Sequence, residues 1–203
     1  MKYVKMLTLA VTAAALLALI GAATASATTL CKNNTSTAKC TATYGPNTII
    51  EGSLKSANTL LEDTFGTSLG SCTTSTVKLE VMKAGSSTET VSGPITGLTF
   101  GGMGCNITKV EAKTFEIHQI ANTDNGTLTA GNFQLSIPVG TETCIYGGTT
   151  VDLGTLEGGT PAKIKLNGVL SLVNKCAGPA DVVWTGEYAL SAPEKGTLFV
   201  AAG

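Results

Sequence analysis

The chain predicts an all-β fold: an antiparallel two-sheet sandwich stapled by disulfides, with a closed β-barrel as the alternative. Three observations carry this. Apolar and polar residues alternate over five stretches, Gly- and Asn-containing pairs punctuate them, and six cysteines follow a segment that reads as an export signal.

The alternation is read first. Val77, Leu79 and Val81 alternate with Lys78, Glu80 and Met82, and Phe115 and Ile117 with Glu116 and His118. Phe133, Leu135 and Ile137 alternate with Gln134 and Ser136, and Ala162, Ile164 and Leu166 with Lys163 and Lys165. Val182, Trp184, Gly186, Tyr188 and Leu190 form the longest set. Successive side chains of a strand point to opposite faces, so each set puts one face in a core and one in water. Thr, with 30 residues after position 27, suits such pleated surfaces, and 24 Gly supply turns.

Asn167-Gly168 stands between two apolar runs and predicts a hairpin, as does Asn125-Gly126. Gly101-Gly102, Gly147-Gly148 and Gly158-Gly159 punctuate the rest. The best helix candidate, Ser53 to Asp63, is short and carries β-branched Thr59, so it reads as strand or loop. No linker divides residues 28–203, which read as one domain. One internal echo stands out: Thr64-Phe65-Gly66 leads to Cys72, and Thr99-Phe100-Gly101 leads to Cys105.

Residues 1–27 read as a cleavable signal peptide. Lys2 and Lys5 precede an uncharged run from Leu7 to Ala23, and Ala25-Ser26-Ala27 has the small-x-small pattern of a cleavage site. A membrane anchor is the weaker reading, because the apolar run of about 17 residues sits at the lower limit for spanning. Lipidation of Cys31 is rejected because bulky Leu30 precedes it. The expectation is a secreted or cell-surface chain, cleaved near Ala27, with no membrane span after cleavage.

In an oxidising compartment Cys31, Cys40, Cys72, Cys105, Cys144 and Cys176 read as three disulfides. Sequential pairing is favoured: Cys31–Cys40, Cys72–Cys105 and Cys144–Cys176. A metal site is not expected, since no C-x-x-C spacing occurs and the chain has one His. All 13 basic residues are Lys. Without residues 1–27 the balance is 11 Lys against 14 acids, and with no Arg fork nucleic-acid binding is not expected.

Candidate chemistry is sparse. Gly66-Thr67-Ser68-Leu69-Gly70 matches the G-x-S-x-G elbow of hydrolases, but no helical pattern follows it and His118 falls on the polar face of its strand beside Glu116. The 14 acids offer no pair in an apolar setting, as a glycosidase would need. Tyr44 and Tyr146 lie in loop-like sequence near Cys40 and Cys144. Packing over a disulfide is the first reading for both; ligand binding through an exposed ring is the second. Sequons occur at Asn33, Asn34, Asn106 and Asn125. Gly154 to Gly159 lacks the Lys of a phosphate loop.

The chain resembles a loose group of small secreted six-cysteine, β-rich proteins of high-GC Gram-positive bacteria. The likeness rests on Leu30-Cys31 after the A-x-A site, Tyr44-Gly45, and Gly97-Leu98-Thr99-Phe100 leading to Cys105. It continues through Gly126-Thr127-Leu128, Cys144-Ile145-Tyr146 and Trp184-Thr185-Gly186-Glu187-Tyr188. The absence of Arg departs from that group. The chain is also faintly similar to the secreted alkane-oxidation activator family. These resemblances imply export and a β-rich fold, and no particular activity.

The sequence therefore leads to the expectation of a non-enzymatic protein without cofactor, structural, adhesive or in contact with the cell envelope. Its copies are expected to self-associate or to touch envelope or glycan. A small-ligand or glycan-binding module is the alternative, and a secreted hydrolase the third reading.

Overall fold

The computed structural model describes residues 27–34 and 40–203. The signal peptide read at residues 1–27 lies outside the described residues, Ala27 excepted. The described chain is all-β. Its strands are β1 Thr28–Cys31, β2 Ile49–Leu54, β3 Thr59–Asp63, β4 Ser68–Cys72, β5 Thr74–Glu80, β6 Lys83–Ala84 and β7 Val91–Gly101. They continue as β8 Lys109–Glu111, β9 Thr114–Gln119, β10 Gly126–Val139, β11 Glu142–Glu157, β12 Lys163–Leu172, β13 Asp181–Ala192 and β14 Phe199–Ala202.

Eight of these strands run in the order β12-β11-β10-β9-β7-β5-β2-β13, and β12 pairs with β13 to close the ring. Of the two arrangements left open by the sequence, the closed barrel is the one formed. β13 makes closure possible by sharing one edge between two partners. Val182–Thr185 pair with β3, while Tyr188–Ala192 pair with β2 across a register shift. The β3–β4 hairpin therefore lies beside the barrel wall. β1 and β14 form a separate two-stranded sheet that packs against β7, β9 and β11.

The five alternating sets fall on β5, β9, β10, β12 and β13, and each turns its apolar side inward. Phe115, Ile117, Phe133, Leu135, Ile164, Val182, Trp184 and Tyr188 are all buried. Trp184 fills the centre. It stacks on Phe133 at 5.4 Å between ring centroids and takes the edge of Phe100 at 5.5 Å. Its register partner on β12 is Gly168. A large ring facing an absent side chain is how an eight-stranded barrel fills its lumen.

Asn167-Gly168 is not a hairpin. β12 runs straight through it, paired with β13 throughout and with β11 at both ends. The glycine is required by a close approach, since a Cβ there would lie 2.7 Å from the Asp152 carbonyl oxygen. Asn125-Gly126 does stand at a reversal, between β9 and β10, and the Asn125 side chain accepts the Gly158 N–H at 2.9 Å. Ser53 to Asp63 is the end of β2, a short connection and β3, with no helix.

Three buried hydroxyl-bearing residues each have partners. Thr59 accepts the Trp184 indole N–H at 2.7 Å and donates to the Thr185 carbonyl at 2.7 Å. Ser75 accepts the Tyr188 hydroxyl at 2.7 Å and donates to the Thr99 carbonyl at 2.6 Å. Thr28 accepts the Gln119 N–H. Burying polar groups is tolerated where each is satisfied in this way.

Tyr188 gives a test in alkali. Burial pushes its pKa up to about 12 from 10.0, against the opposing bonds to Ser75 and Thr59. The phenol is thus harder to ionise folded than unfolded. Its contribution is intact below pH 10 and is lost as pH rises through about 12. That difference corresponds to roughly 3 kcal/mol. Denaturant melts from pH 9 to 12 are expected to show this decline, with Tyr188→Phe removing most of the slope.

Three disulfides staple the fold. Cys31 is bonded to Cys40, Cys72 to Cys105, and Cys144 to Cys176. The two halves of the T-F-G echo are joined by the Cys72–Cys105 bond, by the Ser71 N–H to the Gly104 carbonyl and by the pairing of β5 with β7, but their phenylalanines differ. Phe65 sits on an exposed turn, whereas Phe100 lies in β7 against Trp184.

Candidate functional site

The residues singled out in the sequence are not gathered into one site. Ser68 is exposed at the start of β4. The turn before it has Gly66 at φ 83° and leads into a strand, not a helix. His118 lies on β9, its Nε2 3.3 Å from the Glu116 carboxylate. β4 and β9 are not neighbours in the sheet, so the elbow and the imidazole are held apart. His118 and Glu116 instead line a shallow open groove with Lys83, Glu89 and Ser92. Among the described residues no group of three or more His, Cys, Asp or Glu is disposed to hold a metal ion.

Neither tyrosine presents a ring to solvent, which corrects the reading of Tyr44 and Tyr146 as exposed binding platforms. Tyr44 is 4% exposed and donates its hydroxyl to the Thr197 carbonyl at 2.7 Å. The Lys32 ammonium lies 5.0 Å from its ring centroid and also pairs with Glu194. Burial, and then the Glu194 carboxylate, push the Tyr44 phenol pKa up.

Tyr146 has no exposed surface. It packs beside the Cys144–Cys176 bond: a Cβ built on Gly178 would lie 2.4 Å from the Tyr146 hydroxyl and 2.8 Å from the Cys144 sulfur. Burial pushes its phenol pKa up too. This hydroxyl is buried without a hydrogen-bond partner. A buried donor left unmade is costly, so Tyr146→Phe is expected to leave stability unchanged or raise it by up to about 1 kcal/mol. Thermal melts of the oxidised protein check this, and a loss larger than that would reveal a partner.

The lumen is no ligand chamber in this conformation. Its cavity measures about 20 Å³ and presents only apolar surface, from side chains among them Leu79, Leu98, Phe115, Leu128 and Trp184. That is room for about one water, which an apolar lining does not hold.

What remains is the outer surface. Outward positions carry hydroxyls and charges. Thr76 and Thr99 share a cross-strand hydroxyl bond at 2.7 Å, and Lys78 pairs with Glu51 at 2.6 Å. Against this background two apolar side chains project almost completely: Phe65 is 93% exposed and Met103 90%. Both flank β4. Phe65 occupies the β3–β4 turn, and Met103 precedes Gly104, whose carbonyl accepts the Ser71 N–H at 3.2 Å near the other end of the strand.

Both tips are firmly built. The Asp63 carboxylate accepts the N–H groups of Phe65 and Thr67, each at 2.8 Å. These bonds, Thr67's first, hold its carboxyl below the usual range. The Met103 loop is tied by Cys105 to Cys72 and by the Asn106 amide to the Leu69 carbonyl at 3.1 Å. Phe65-Gly66 and Gly101-Gly102-Met103-Gly104 are the local signals of these turns, but they do not fix exposure: the same T-F-G at Thr99-Phe100-Gly101 lies in β7, with Phe100 against Trp184.

No described helix is long and apolar enough to cross a membrane. Comparison of the chain with protein families, curated proteins and solved structures finds no match.

Proposed function

We propose that this is an exported, non-catalytic protein that works by surface contact outside the cell, in a structural, adhesive or envelope-binding role. The observation that carries the reading is the pair of exposed apolar side chains, Phe65 and Met103, held on braced turns near the two ends of β4, beside a closed barrel. Apolar groups shown singly to water are ordinary; such groups on stiff loop tips lose little conformational freedom on docking, which is what an interface anchor requires.

Two further features support it. The apolar face of the barrel is turned inward and the hydroxyl-rich face outward, so contact rather than internal ligand storage is the available mode. Disulfides suit an oxidising exterior.

The test is sedimentation of the oxidised chain, residues 28–203, alone and with cell-envelope fragments. Self-association or co-pelleting is expected, weakened at least tenfold by Phe65→Ser with Met103→Ser. A strict monomer that pellets with nothing overturns the reading.

A further inference from the structure

We infer that the Ala27–Thr28 peptide bond is open to a leader peptidase only until the β1–β14 sheet closes, so that leader removal must precede the last step of folding. The inference rests on reading residues 1–27 as a cleavable leader.

Both polar groups of that peptide unit are taken up by the fold. The Ala27 carbonyl accepts the Gly203 N–H at 3.0 Å, and the Thr28 N–H donates to the Glu89 carbonyl at 3.3 Å. Thr28 has no exposed surface, and its hydroxyl accepts the Gln119 N–H at 2.9 Å. The backbone of Gly85 closes the remaining side: a Cβ there would lie 1.7 Å from the Thr28 carbonyl oxygen. Beyond Thr28 the ladder runs on, from Thr28 opposite Ala202 to Cys31 opposite Phe199.

A peptidase binds its substrate as an extended strand and draws the scissile carbonyl into its own hydrogen-bond donors. Here the carbonyl is already held by Gly203, and the amide faces Glu89. Hydrolysis adds water across the Ala27–Thr28 C–N bond, leaving a carboxylate on Ala27 and an ammonium on Thr28. Reaching that bond in the folded chain requires stripping β14 from β1 and lifting β1 from the 85–89 turn.

The order of events follows from the chain. Thr28 leaves the membrane well before β14, Phe199–Ala202, which lies far downstream of it in the chain. Cleavage has that interval. A molecule whose sheet closes first keeps its leader and stays tethered. The ratio of closure rate to cleavage rate thus divides the protein between tethered and released forms.

The experiment uses the full chain in detergent micelles with purified leader peptidase, read by N-terminal sequencing and mass. The oxidised, refolded chain is expected to be cut between Ala27 and Thr28 at least tenfold more slowly than the reduced and alkylated chain. Gly203→Pro removes the N–H that holds the Ala27 carbonyl and sets a Cβ 2.3 Å from the Ser86 carbonyl oxygen, so it loosens this end of the sheet and is expected to speed cleavage of the refolded chain severalfold. Val200→Asp, which places a charge opposite Leu30, is expected to restore most of the rate. Equal rates for refolded and alkylated chains overturn the inference. So does a Gly203→Pro chain that folds yet remains as protected as the parent. An alkylated chain that is not cut at Ala27–Thr28 removes the leader reading itself, and the inference with it.

Discussion

Replacing Trp184 with alanine is expected to cost about 3–5 kcal/mol, the range for truncating a large buried aromatic. The ring is 1% exposed, stacked on Phe133 at an interplanar angle of 19° and met edge-on by Phe100 at 63°. It also supplies the N–H that Thr59 accepts. The walls of a closed barrel are tied all round by ladder bonds, so they collapse poorly into a new void, which places the cost toward the upper end. Domains of this kind are stable by about 5–15 kcal/mol, so much of the total is at stake. Trp184→Phe keeps most of the filling and loses the bond to Thr59. It is expected to cost about 1–2 kcal/mol. Guanidinium unfolding of the oxidised proteins measures both. A cost below about 1.5 kcal/mol for the alanine change would show that the lumen repacks freely.

The second large effect is expected from Cys72→Ala with Cys105→Ala. The bond closes a loop with a sequence separation of 33, for which the chain-entropy account gives about 3–4 kcal/mol. Its place in the fold adds a consequence that loop length does not. The segment Gly104–Asn106 lies along the outer side of β4, bonded to Ser71 and Leu69, and the disulfide holds it there. Without the bond this cover loosens and β4 becomes an open edge, free to pair with another chain. The double variant is therefore expected both to unfold at lower denaturant and to sediment as larger species. A stability loss without new association would confine the role of the bond to chain entropy. The Cys31–Cys40 bond, with a separation of 9, is expected to matter less on the entropic account.

Most of the strand content was legible because alternation is a local signal. Val77 to Leu79, Phe115 to Ile117, Phe133 to Ile137, Ile164 to Leu166 and Val182 to Leu190 each announce an inward face, and each has one. Asn167-Gly168 misled for an equally physical reason. The pair has the φ freedom a hairpin wants, but β11 presses on Gly168 from one side and Trp184 stands opposite it on the neighbouring strand β13. The glycine serves a close approach, not a turn. Long β11 was hidden because its run is broken by Gly147 and Gly154, both in positive φ, where its pairing with β12 breaks register. Tyr44 and Tyr146 resemble loop aromatics in sequence, and only their burial shows that they are packing. The exposed tips were half legible: the Gly turns around Phe65 and Met103 could be read, but not that both adjoin β4.

The sequence by itself determined the class of the molecule. Period-two patterning requires one-sided sheets, and the even set of cysteines suits staples, because both are properties of near neighbours and of composition. The tertiary structure alone decided that the sheets close into a barrel. A strand with one apolar face looks the same in a sandwich and in a barrel; the choice lies in long-range pairing, with β12 meeting β13 and β13 dividing one edge between β2 and β3. The same long-range pairing brings β1 to β14 and seats Thr28 where no solvent reaches it. The Ala25-Ser26-Ala27 pattern could be read from the chain alone. That the bond after it is held by Gly203 and Glu89 could not, because those partners lie far away in sequence and meet it only in the folded state.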